Sequence, residues 1–134
     1  MPRNRTFPAA LAPLLALVPL VAFAVVLLGP SSIALREDVL HEETSAAAGV
    51  TYEHGGAQHS SDLRLLRILR PTGVEHELHL GPGAESSYYP VSVEFGSSGE
   101  PRIREVRWLP DRVAVRFASG ELLEVPAENF RSVR

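Results

Sequence analysis

The chain has no cysteine and no lysine, and its single methionine is the first residue. Lacking cysteine, it can form no disulfide, thiolate metal site, thiol nucleophile or lipid-modified cysteine anchor. Lacking lysine, it carries all thirteen basic charges on arginine. Together with many Ala, Gly and Pro, that usage points to a GC-rich bacterial genome and says nothing of function. Two chemical motifs are missing as well. No serine sits in a Gly-x-Ser-x-Gly elbow, and Gly55-Gly56 and Gly81-Pro82-Gly83 lack the lysine and strand-to-helix setting of a phosphate loop.

Charge is absent from Phe7 to Leu28, a stretch of seven Leu, six Ala, four Val, three Pro and two Phe. As a helix it would be about 33 Å long, enough for a hydrocarbon core of about 30 Å. Its Leu, Val and Phe favour insertion by about 6 kcal/mol in total. Pro13 and Pro19 oppose a helix in water, but membrane helices absorb such prolines by kinking. Arg3 and Arg5 precede the stretch, and Arg36, Glu37 and Asp38 are the first charges after Gly29-Pro30. The positive-inside rule then places the N-terminus in the cytoplasm and the C-terminal part outside. The expected order is a cytoplasmic end (1–6), a transmembrane signal-anchor (7–28), an extracytoplasmic linker (29–61) and a small β-rich domain (62–134). A cleaved signal peptide is the alternative, with Ser32-Ile33-Ala34 as the cleavage site and a secreted product.

Beyond the apolar stretch, eleven Arg face sixteen Asp and Glu. Such an acidic domain is poorly suited to neutralising phosphates, so nucleic acid is not an expected partner. The linker reading rests on Gly-Pro-Ser-Ser at 29–32, the acids Glu37, Asp38, Glu42 and Glu43, and Gly55-Gly56. In Asp62–Arg70 the wheel places Leu65, Leu66, Ile68 and Leu69 opposite Arg64, Arg67 and Arg70, and Pro71 follows. That spacing predicts a short amphipathic helix, with a strand as the alternative.

From Val74 the period is two. Val74, His76, Leu78 and Leu80 alternate with Glu75, Glu77 and His79; Tyr89, Val91, Val93 and Phe95 alternate with Tyr88, Ser92 and Glu94. Pro90 marks that second strand as an edge. Residues 102–109 are apolar on both sides and predict a central strand. Val113, Val115 and Phe117 follow, then the hairpin loop Ala118-Ser119-Gly120, then Leu122–Val125. Ala127–Phe130 predicts a helical turn that tucks Phe130 under the sheet. The expected fold is mainly β (α+β): an antiparallel meander of about five strands behind a transmembrane helix.

Five histidines raise the question of metal or acid–base chemistry. His76 and His79 fall on opposite faces of a strand and cannot share an ion. His54 and His59 flank a Gly-rich loop, and the paired carboxylates Glu75 and Glu77 are ordinary for an exposed strand face. No catalytic residue, metal or cofactor is therefore assigned. Interface-forming side chains are more informative: Tyr88 on the polar face of its strand, Arg102, Arg104 and Arg107 on the strand at 102–109, and Trp108 on that same strand, which core packing also accounts for. The sequence thus implies a single-pass membrane protein whose outer domain binds or assembles a partner, either another protein or a second copy. A small enzyme or metal-binding protein using His54, His59 or His79 is the competing class. A regulatory protein acting through its membrane helix is the third.

Overall fold

A computed structural model describes residues 33–83, 87–96 and 99–133, and in these the chain is mainly antiparallel β. The strands are β1 (Arg36–Thr44), β2 (Tyr52–His54), β3 (Ala57–His59), β4 (Asp62–Arg70), β5 (Gly73–Gly83) and β6 (Ser87–Ser92). After a crossing segment come β7 (Ile103–Trp108), β8 (Arg112–Phe117), β9 (Leu122–Pro126) and the one-turn helix α1 (Ala127–Phe130). They form a four-stranded sheet in the order β1-β4-β5-β6, a three-stranded sheet β7-β8-β9 and the small β2-β3 hairpin. The expected antiparallel fold is present, with more strands and in two main sheets. The proposed membrane segment, 7–28, lies outside the described residues. Among the described residues no helix is long and apolar enough to cross a membrane.

Asp62–Arg70 is a strand, which corrects the helical reading. It lies between β1 and β5, and both of its faces carry buried residues. Leu63 and Leu65 point into the main core, whereas Leu66 and Ile68, each 1 % exposed, lie on the opposite face. A strand covered on both sides needs no polar alternation, and over nine residues its apolar positions imitate a helical stripe.

Residues 36–59, expected within the linker, are folded. β1 pairs along the whole of β4, from Arg36 opposite Leu69 to Thr44 opposite Asp62. Its acids, which suggested a solvated tether, meet arginines of β4: Asp38 Oδ2 accepts from Arg67 Nη2 at 2.8 Å, and Glu42 stands 3.8 Å from Arg64 Nε. Arg67, with Arg36, holds the Asp38 carboxyl below its ordinary range. A register shift between Val39 and His41 turns Leu40 towards the core. The strand ends in a 3-10 turn, Ser45–Ala48, closed by Gly49 at φ +71°. Buried Ser45 ties this turn to β4: its Oγ accepts from the Ser61 N–H at 2.8 Å, and its own N–H donates to the Ser61 carbonyl.

The two main sheets share one core. Leu63, Leu65, Leu78 and Leu80 of the first meet Val113, Val115, Phe117 and Val125 of the second. β7 is an edge strand rather than the expected central one. A register shift between Ile103 and Glu105 lets Ile103, Val106 and Trp108 all face inward, which accounts for the mixed pattern in the sequence. Tyr52 and Phe130 close one side of this core, their rings edge to face at 5.1 Å. The Tyr52 hydroxyl donates to the Leu109 carbonyl at 2.9 Å, and burial pushes its pKa up to about 12.

Candidate functional site

The first sheet extends past the second. Beyond the core row Leu65–Leu78–Val91, its inward face continues as Asp38–Arg67–His76 and then as Arg36–Leu69–Val74. The crossing segment between β6 and β7 leaves the first sheet here: the Val93 N–H donates to the His76 carbonyl at 2.9 Å. It is fixed farther along where Arg67 Nη1 donates to Glu100 Oε1 at 2.9 Å. The Arg102 carbonyl accepts from the Ala118 N–H at 2.8 Å, which joins the segment to the β8–β9 hairpin loop.

Under this bridge lies an open cleft of about 500 Å³, within the size range of small-ligand sites. Its lining mixes His76, Glu94, Glu100, Arg102 and Ser119 with the apolar Val93 and Phe95. Phe95 forms the firm wall, its ring edge to face with Phe117 at 4.7 Å. His76 is the unusual member. Its Nε2 is buried and has no hydrogen-bond partner among the described residues. A buried polar atom left unpaired is costly, by about 1–3 kcal/mol, unless something else satisfies it.

A second polar group lies on the outward face of the same sheet. Arg70 Nε donates to Glu75 Oε2 at 2.7 Å and Arg70 Nη2 to Glu77 Oε1 at 3.0 Å. These carboxylates, Glu75 first, keep Arg70 firmly protonated. Glu77 Oε2 lies 2.8 Å from His79 Nε2. An ionised carboxylate only accepts, which places the proton on Nε2. The His79 ring is 2 % exposed and stacks on Tyr88 at 3.7 Å with 6° between planes. Histidine does meet a carboxylate here, as acid–base chemistry would require. The stacked ring of Tyr88 covers His79 and links β5 to β6.

The other sequence candidates are dispersed. Trp108 is 7 % exposed and donates its indole N–H to Glu43 Oε1 at 3.0 Å, so it is a core residue and not a surface contact. Arg102 reaches the cleft, Arg104 is exposed at the β7 register shift, and Arg107 lies on the outward face of the second sheet beside Glu105. Tyr88 is on the outward face of the other sheet, so the five do not form one surface. His54 and His59 share a face of the β2-β3 hairpin and line a shallower hollow with Arg131. Among the described residues, no three His, Asp or Glu side chains converge as a metal site would need.

Of the cleft residues, the sequence reading missed His76, Glu94, Phe95, Glu100 and Ser119 as a group. One signal was available: His76 is the single polar residue in the inward row Val74, His76, Leu78, Leu80. No family model matches the chain, and neither the curated proteins nor the solved structures hold a match to it.

Proposed function

We propose that the chain is a membrane-anchored binding module, held by residues 7–28 with its β domain outside the cytoplasmic membrane. Its cleft would hold a segment of a protein partner or of a second copy. The reading is carried by the cleft beside His76, a concavity of peptide-binding size with an unpaired buried Nε2. Carbonyl or carboxylate oxygens of a bound segment would accept from an N–H at that position. Backbone N–H groups of the segment would donate to the carboxylates of Glu94 and Glu100, and Phe95 would take an apolar side chain.

The position of the cleft supports an anchored role. Seven residues, 29–35, separate the apolar stretch from β1, a contour of at most about 25 Å. A partner held in the cleft would therefore be held close to the bilayer. This differs from a domain on a long tether, because residues 36–59 belong to the fold.

Photo-crosslinking in native membranes tests the proposal. A photoreactive side chain at Ser119, in the cleft, is expected to give one discrete adduct, and the same group at exposed Glu128 none. His76→Ala should lower the Ser119 yield about tenfold, equivalent to about 1.4 kcal/mol of binding. An adduct of twice the chain's mass would identify a second copy as the occupant. Equal labelling from both positions, or no adduct from Ser119, would contradict the proposal.

A further inference from the structure

We infer that the end of the four-stranded sheet formed by the start of β1 and the β4–β5 turn rests in the headgroup layer of the bilayer that anchors the chain. The inference builds on the membrane-anchored reading and adds to it a defined contact surface and hence an orientation for the domain.

The first observation is where exposed apolar side chains lie. Among the described residues, the large hydrophobics left exposed are Ile33, Leu35, Val39, Leu69, Val74 and Leu122. Three of these, Leu35, Leu69 and Val74, occupy one end of the first sheet, and Ile33 precedes Leu35 by two residues in the chain. The Leu35 N–H donates to the Leu69 carbonyl at 2.8 Å, and Leu69 pairs directly with Val74. Leu35 continues the outward face, whereas Leu69 and Val74 lie on the inward face beyond the reach of the second sheet. The sheet end is therefore apolar on both sides. The core does not account for it, since none of the four joins the core cluster. Single exposed leucines are unremarkable, but three such side chains at one edge form a patch of the kind that marks a contact surface.

The second observation identifies the occupant. The chain enters the fold at this end: residues 29–32 lead directly into Ile33 and Leu35. With a contour limit of about 25 Å between residue 28 and β1, the first sheet end available to the bilayer is this one. Aliphatic side chains with arginines around them suit the boundary between headgroups and acyl chains, where apolar groups insert and guanidinium groups stay in the polar layer.

The charges at this edge define the kind of lipid surface. Arg36 pairs with Asp38 at 3.0 Å, Arg67 with Asp38 and Glu100, and Arg70 with Glu75 and Glu77. These three arginines face four carboxylates, so there is no net positive field to require anionic lipid. Contact would depend on apolar insertion, would occur on zwitterionic bilayers and would change little with salt.

The absence of cysteine makes the test direct. Single-cysteine variants Val74→Cys and Leu122→Cys of the full chain would each carry one environment-sensitive fluorophore, in vesicles of zwitterionic phosphatidylcholine. Buried Trp108 would report that both variants are folded. The label at 74 is expected to be quenched about twofold by nitroxide-bearing lipids and shielded from aqueous iodide, and the label at 122 to show the reverse. If 74 is as open to iodide as 122, the inference falls. It also falls if 74 is shielded from iodide but untouched by the lipid quencher, because then a protein covers the patch. An alkaline wash of the same vesicles separates the two readings. A chain that stays in the pellet with 74 in water keeps its anchor and loses this contact. A chain that washes off, after lipid quenching at 74, keeps the contact and loses the anchor.

Discussion

Phe130→Ala is expected to destabilise the domain by about 4 kcal/mol, in the range found for deleting a buried phenylalanine. Phe130 is fully buried at the end of α1, a helix of one turn with little stability of its own. That turn packs against β5 and β6 of one sheet and β8 and β9 of the other, so Phe130 plugs the gap between them. Its ring meets Tyr52 edge to face at 5.1 Å and Trp108 at 6.5 Å. Alanine would leave these two rings facing a void that the short hairpin β2-β3 cannot collapse to fill. A domain of this size has roughly 5–10 kcal/mol in all, so the loss removes much of it. Urea denaturation should show the midpoint fall steeply at an unchanged slope, while Glu128→Ala, on the exposed side of the same turn, stays within about 0.5 kcal/mol of the parent. A Phe130→Ala midpoint close to that of the parent would mean that α1 is not part of the core.

Gly81→Ala is expected to cost about 2–3 kcal/mol for the opposite reason, overpacking. A Cβ at Gly81 would stand 2.6 Å from the Ser87 carbonyl oxygen and 3.2 Å from Tyr88 Cα. Both are backbone atoms of β6, so no side chain can swing aside and the strand itself must move. The clash falls where the β5–β6 register already shifts, between Leu80 and Gly83. Displacing β6 should lift Tyr88 from His79, and the loss of the ring-current shift on the His79 protons would report it. Gly96→Ala is the matched control, with no atom within 4 Å of the added methyl, and should be nearly neutral. If both substitutions are equally mild, β5 and β6 are not held as closely as their pairing implies.

How far the sequence reveals this fold depends on where each strand finds its partners. Residues 74–80 and 113–117 alternate because their inward side chains, Leu78, Leu80, Val113, Val115 and Phe117, meet the core, and local pattern was enough to place these strands and 122–125. The hairpin loop at Ala118-Ser119-Gly120 and the burial of Phe130 were legible for the same reason. β1 was not: Arg-Glu-Asp-Val-Leu-His-Glu-Glu-Thr has only two aliphatic residues, and its stability comes from the backbone of β4 and from arginines about thirty residues away. β4 was misread because it is buried on both faces. The cleft was least legible, since His76, Phe95, Glu100 and Ser119 are brought together only by the crossing of the chain between sheets. Trp108 shares a face with Val106 by plain alternation, and core packing was one of its two readings; only the inward turn of Ile103, set by the register shift between Ile103 and Glu105, has no local mark in the sequence.

The folding of residues 36–59 also bears on function. A long linker would let the domain sample a wide volume, and its surface would have no fixed relation to the bilayer. β1 starts at Arg36, opposite Leu69, which pairs in turn with Val74, and the cleft-lining His76 is two residues farther along β5. Under the membrane-anchored proposal, binding in the cleft would position a partner relative to the bilayer as well as hold it there.

The most direct test of the account is the intact mass of the protein recovered from alkaline-washed membranes and from culture supernatant of its native host. A full-length mass confined to the washed membrane pellet is predicted. A mass beginning at or near Leu35, found in the supernatant, would contradict it: residues 7–28 would be a cleaved signal, and the cleft would belong to a free secreted domain.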